Sequence, residues 1–264
     1  QRKSTHYKDE EGEDYLLHIN KLLQQDEVSG YKDREEEHPS IFVFGLPRSG
    51  TTFMTQLLAH SFDLGYINNF MARFWLAPVT GIRLSKQIFG EKAISTFDSS
   101  YAATSDVLDI HEFGYFWRNW LRKDRISDIL NSKENEGHID WEALKKVILN
   151  MHHAFGKGWI CKNIFGAYHL ERFTNLLKKS LFIYIERDPV DNAISILDAR
   201  KKFYDDPGLW WSTIPMEYHD IKDLPVEEQV AAQVHHLRKY YQQELADLDP
   251  GRYLKVSYEE VCSN

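Results

Sequence analysis

Residues Ile41 to Phe53, IFVFGLPRSGTTF, restrict this chain more than any other stretch. Ile41, Phe42, Val43 and Phe44 form an apolar run short enough for a buried strand. Gly45, Pro47 and Gly50 then break the pattern, and Met54, Leu57 and Leu58 return at helical spacing. The expected order is strand, tight loop, helix. Such a loop aims backbone N–H groups at one centre, backed by the positive end of a helix dipole, and makes an anion site, usually for phosphate. On the Walker A pattern G-x-x-x-x-G-K-[ST], Gly45, Gly50 and Thr52 fit, but Thr51 stands where the lysine belongs. In nucleoside triphosphatases that lysine holds the β- and γ-phosphates. Its replacement points to a nucleotide without a transferable γ-phosphate. Arg48, inside the loop, offers a guanidinium fork suited to oxyanions.

A second signature lies far downstream. Leu181 to Glu186, LFIYIE, reads as a buried strand, and Asp188-Pro189 reads as the N-cap and first position of a helix running to about Lys202. Arg187 sits at the strand tip, and Ser195 lies about two turns into the helix on nearly the same face as its start. An arginine and a serine so placed can grip one phosphate from two sides. Asp188 and Pro189 serve any helix start, whereas Arg187 has no such local explanation beyond a surface ion pair.

Pro47-Arg48-Ser49-Gly50-Thr51-Thr52 resembles the 5′-phosphosulfate loop of sulfotransferases that use 3′-phosphoadenosine 5′-phosphosulfate (PAPS) as donor. Arg187 and Ser195 resemble the pair that holds the donor's 3′-phosphate in that family. The resemblance implies that Phe53, after the two threonines, stacks on the adenine. It implies an α/β, P-loop-like three-layer fold with a central parallel sheet flanked by helices. It also implies transfer of a sulfuryl group to a hydroxyl, less readily an amine, of a small molecule or carbohydrate. Family members carry a glycine-rich basic loop near the C-terminus that closes over the donor, and no such loop is found up to Asn264.

Strands expected at 41–44, 159–162, 181–186 and 253–256 alternate with helices to Ser61 and over 140–155, 169–179, 188–202 and 226–246, with Asp140 as an N-cap. This order implies parallel pairing with right-handed crossovers, and a ligand beyond the carboxyl ends of the strands. The loop, Lys162 and Arg187 all fall at such ends. Residues 1–40 are charged around one apolar-periodic patch in which Leu16, Ile19, Leu22 and Leu23 share a helical face, and the acidic flanks read as solvated surface. The whole chain of 264 residues reads as one domain, with 1–40 as its charged, helical N-terminal extension.

A net charge of −8 argues against nucleic acid as a partner. Two distant cysteines, Cys161 and Cys262, make neither a disulfide framework nor a thiolate metal site. No apolar run reaches membrane-span length and no N-x-[ST] sequon occurs, so the expectation is a cytoplasmic protein without an integral membrane segment. The oligomeric state is left open. No metal is expected either, because sulfuryl transfer can rely on cations around the bridging oxygen, and Arg48 and Lys162 are the candidates. For the base that takes the acceptor proton, His111 and Glu112 are candidates, expected to open an aromatic helix HEFGYFWRNWL, with His169 in reserve. HEFGY lacks the second histidine of a zinc-protease motif. The pairs His152-His153 and His235-His236 read as ordinary helix residues. Part of the aromatic segment 66–120 can line an acceptor pocket, although most of it reads as core. A P-loop kinase and a non-catalytic nucleotide-binding scaffold are the alternatives.

Overall fold

Alternation along the first strand sorts the core into two faces. In a computed structural model describing residues 9–90, 99–100, 103–104 and 106–263, β1 (Ser40–Gly45) is buried along nearly its whole length. Phe42 and Phe44 point to one side, and Val43 to the other. On the first side Phe42 packs on Phe182, Phe173 and Trp117, and Phe44 on Tyr184 and Tyr241. On the second, Val43 joins Ile160, Ile185, Met54 and Ala59. A strand buried on both faces belongs to the interior of a parallel sheet.

Five strands form that sheet: β1, β2 (Gly65–Tyr66), β3 (Trp159–Lys162), β4 (Leu181–Glu186) and β5 (Tyr253–Ser257). Their order is β2-β3-β1-β4-β5, and every pairing is parallel. Phe42 faces Cys161 on one neighbour and Phe182 on the other. The helices are α1 (Glu10–Gly30), α2 (Thr51–Ser61), α3 (Pro78–Phe89), α4 (Gly114–Leu121), α5 (Ile126–Leu130), α6 (Trp141–Phe155), α7 (Leu170–Leu176), α8 (Pro189–Phe203), α9 (Tyr218–Ile221), α10 (Val226–Ala246) and α11 (Tyr258–Ser263). A short antiparallel pair, 99–100 with 103–104, stands apart from the sheet. The α/β fold with a central parallel sheet is the one expected. Asp188 and Asp140 cap α8 and α6 through backbone N–H groups of Val190, Asp191 and Ala143.

Three expectations need correction. The α1 face turned inward carries only part of the predicted stripe: Leu16 packs against the core and Asn20 and Glu27 are buried beside it, whereas Leu22 is 60% exposed. The two polar side chains are buried because each finds backbone partners on neighbouring segments. The acidic flanks are not all solvated surface either. Glu36 accepts the backbone N–H groups of Lys178 and Lys179, and Glu13 accepts the Tyr115 hydroxyl. Finally, His111 and Glu112 do not open the aromatic helix. Phe113 adopts left-handed backbone geometry (φ 56°) with its ring buried against Phe116, so α4 begins only at Gly114.

Within the aromatic segment, Phe113, Phe116 and Trp117 are core, while Phe97 and Tyr101 lie outside the described residues. Among the described residues no helix is long and apolar enough to cross a membrane. Cys161 is buried and Cys262 exposed, and they are not bonded to each other.

Candidate active site

The loop after β1 is shaped by two glycines with different duties. A Cβ on Gly45 would come within 2.5 Å of both the Ile185 carbonyl and Ser49 Oγ, so the loop can close over β4 only without a side chain there. Gly50 caps α2 with φ 94°, a conformation glycine adopts without penalty. Arg48 is also left-handed, at φ 67°. The Ser49 N–H donates to the Leu46 carbonyl at 3.1 Å, and the first bond of α2 runs from Met54 N to Gly50 O at 3.0 Å. The N–H groups of the first turn, Thr51 to Phe53, therefore have no intrahelical acceptor, which is the arrangement that receives anions. Pro47, Ser49, Thr51 and Thr52 are buried, and Phe53 is half-buried. Ser49 Oγ is buried without a hydrogen-bond partner.

Segments from the other side of the sheet interlock with this loop. Arg187 Nη1 donates to the Arg48 carbonyl at 2.9 Å, and Arg48 Nε donates to Ser195 Oγ at 3.1 Å. Sequence reasoning put Arg48 and Ser195 at opposite ends of a donor nucleotide, whereas the fold brings them into contact. Asn192, buried one turn before Ser195 on α8, donates to the Pro47 carbonyl at 2.7 Å. The Arg187 guanidinium lies 4.8 Å over the Tyr258 ring, and its Nε is buried without a partner. The same ring fills the space beside Gly50, where an added Cβ would meet it at 2.3 Å. Glu259 next to it accepts Asp188 N at 2.9 Å and Ser257 Oγ at 2.8 Å. Asn192 and Tyr258 escaped sequence reasoning. Asn192 left a faint signal, since it shares a face of α8 with Ser195 at i, i+3. Tyr258 left none.

On the opposite side of the loop Lys162, last residue of β3, forms an ion pair with Glu112 Oε1. Its Nζ also stands 3.4 Å from Thr52 Oγ1. The lysine side chain is 9% exposed and the glutamate 35%, so the pair is shielded on the lysine side and open on the carboxylate side. The turn at Phe113 sends Glu112 toward β3 instead of along α4. His111 is fastened by its N–H to the Ile67 carbonyl at 2.9 Å, and its Nδ1 accepts Phe113 N at 2.9 Å. Burial above all lowers its pKa, with Arg73 and Lys162 adding to the effect and Glu112 opposing it. A neutral ring with Nδ1 accepting carries its proton on Nε2. His111 is thus a donor, and the Glu112 carboxylate is the acceptor that stands beside the loop.

His169 lies elsewhere. It is fully buried, with Nδ1 2.8 Å from Glu136 Oε1 and its ring edge-on to Trp141. Among the described residues no group of three or more histidine, cysteine or acidic side chains could hold a metal.

Comparison with known proteins agrees with this architecture. The solved sulfotransferase STF1 of Mycobacterium tuberculosis superposes with a TM-score of 0.55 at 14% identity, covering 97% of this chain and 73% of that one. For the sulfotransferase STF9 of Mycobacterium avium the TM-score is 0.57 at 16% identity, with 94% and 65% covered. This chain thus spans about two thirds to three quarters of the length of these structures. No curated protein matches. The family model described as Sulfotransferase family matches residues 39–264, and the chain belongs to that family.

Proposed function

We propose that this chain transfers a sulfuryl group from PAPS to a hydroxyl of an acceptor, with Glu112 as general base. The observation that supports it most is the two-sided loop. One side carries Arg48, Arg187 and Ser195, and the other carries the Glu112–Lys162 pair against Thr52. A nucleotide phosphorylated at both ends needs two anion grips, and a transfer to an alcohol needs a cation and a base beside one of them.

Two buried polar atoms fit such a ligand: Ser49 Oγ and Arg187 Nε, both at the loop and both without a protein partner. In this reading Arg187 and Ser195 hold the 3′-phosphate. Residues 47–52 hold the 5′-phosphosulfate, and Phe53 stacks on the adenine. PAPS supplies a sulfuryl group whose S–O bond to the 5′-phosphate breaks as the bond from sulfur to the acceptor oxygen forms. Glu112 accepts the acceptor proton, while Lys162 and Arg48 neutralise charge gathering on the phosphate oxygen left behind. The ion pair aims the Glu112 carboxylate, and Lys162 spans the distance from base to loop.

The direct test is turnover. PAPS is supplied with a panel of phenols, aliphatic alcohols, sugars and amines, and sulfated product and 3′-phosphoadenosine 5′-phosphate are measured by mass spectrometry. Product in equal amount to the nucleotide supports the reading. Donor-site binding without product from any acceptor class supports a scaffold instead.

A further inference from the structure

We propose that α1, which precedes the family-matched region, forms one wall of the acceptor pocket, and that the pocket takes a neutral alcohol with a flat apolar body. The inference rests on the reading of Glu112 as the base. A cavity of about 550 Å³ lies between the first turns of α1, the single-turn helix 71–74 and the segment 107–115. That volume is in the range of small-molecule sites, about 300–1,000 Å³. Leu16 and Glu13 come from α1, Phe70 and Trp75 flank the 71–74 turn, and Tyr115 and His111 close the far side.

His111 joins the cavity to the reaction centre. It lines the cavity, and the next residue, Glu112, pairs with Lys162 beside the loop. The cavity thus borders the residue adjacent to the proposed base, and in this proposal the acceptor hydroxyl reaches Glu112 past His111. The Nε2–H of His111 is a donor suited to the acceptor oxygen.

The helix is fixed to this place by polar anchors. Asn20, fully buried, donates to the Arg73 carbonyl at 2.7 Å and accepts Leu76 N at 2.9 Å, which holds the segment that bears Arg73 and Trp75. Glu27 accepts Val79 N at 3.0 Å and Thr80 N at 2.7 Å at the start of α3, where a carboxylate also meets the helix dipole. Glu13 accepts the Tyr115 hydroxyl and ties the first turn of α1 to α4. These bonds, at residues 13, 20 and 27, tie α1 to its neighbours at three points along its length.

The lining indicates the ligand class. Phe70, Trp75 and Tyr115 offer aromatic faces, and Leu16 and Val107 add aliphatic surface. The single cation, Arg73, is matched by the single carboxylate, Glu13, among the lining residues, and His111 is neutral. A balanced site of this kind favours an uncharged ring over an anionic or strongly polar acceptor.

The test uses 2-naphthol, with methyl glucoside as the polar comparison, and equilibrium dialysis with and without 3′-phosphoadenosine 5′-phosphate. The expected result is 2-naphthol binding stronger than glucoside binding, weakened at least tenfold in Leu16→Trp, while affinity for the nucleotide stays within twofold. Glu13→Ala, which removes the tie to Tyr115, should weaken 2-naphthol at least threefold. In the unaltered protein, 2-naphthol should slow amide exchange over residues 10–20, a readout that needs no variant. Preference for the glucoside, no 2-naphthol binding, or exchange over 10–20 unchanged by bound 2-naphthol would overturn the proposal. Loss of nucleotide binding alone would instead count against the donor reading, because the naphthol arm is read without nucleotide as well.

Discussion

Arg48 and Ser195, 147 positions apart, meet through a 3.1 Å hydrogen bond from Nε to Oγ. The contact joins the loop after β1 to the face of α8 and, with Arg187 on the Arg48 carbonyl, makes one unit of the two segments. Replacing Arg187 with alanine removes a charged donor from that unit. Charge-assisted bonds contribute about 1.5–3 kcal/mol, so affinity for 3′-phosphoadenosine 5′-phosphate should fall about 10- to 100-fold by calorimetry. Ser195→Ala, which removes only a neutral hydroxyl, should cost about tenfold or less.

The Glu112–Lys162 pair predicts a kinetic split. Glu112→Gln keeps size and hydrogen bonding but removes the base, so kcat should fall about 100- to 10,000-fold with little change in nucleotide affinity. Lys162→Met should lower kcat as well. Single-turnover kinetics with saturating donor separate these effects from binding.

Gly50 and Tyr258 should behave as a coupled pair. Gly50→Ala introduces both a left-handed alanine and a clash with the Tyr258 ring. The backbone part alone is worth about 1 kcal/mol. Tyr258→Ala in the same chain should relieve the clash and leave the backbone part, so a double-mutant cycle from urea melts should show positive coupling. Additive losses would place the ring away from the loop.

His152 predicts acid sensitivity. Its Nε2 is 2.9 Å from Ser40 Oγ at the start of β1, and burial, aided by His38, lowers its pKa to about 4 from the ordinary 6.5. The unfolded chain binds this proton first, so stability is full above about pH 6.5 and is lost as pH falls toward 4. At about 1.4 kcal/mol per pKa unit the loss is on the order of 3 kcal/mol. His152→Gln should flatten this part of a stability–pH profile.

How much of this was readable in the chain depends on how local each signal is. Gly45, Gly50 and the Asp188-Pro189 start of α8 are set by backbone geometry within a few residues, so the loop and the strand-end positions of Lys162 and Arg187 follow from sequence. Glu112 and Lys162 were each singled out, but their pairing depends on the left-handed turn at Phe113, which a phenylalanine does not announce. The inward face of α1 was only partly legible, because hydrophobic periodicity finds Leu16 but cannot see Asn20 and Glu27, whose burial relies on backbone groups more than fifty positions away. β2, only two residues long, carries too little pattern to stand out. Tyr258 reaches Gly50 only because β5 pairs beside β4.

The most direct test of a donor phosphorylated at both ends is a calorimetric titration of the unaltered protein. It compares 3′-phosphoadenosine 5′-phosphate with ATP, each with and without magnesium, and repeats the first in Arg187→Ala. The predicted result is binding of the bisphosphate that is independent of magnesium, tighter than ATP, and weakened about 10- to 100-fold in the variant. Tighter ATP binding that requires magnesium would contradict it and would make the loop a kinase site despite Thr51.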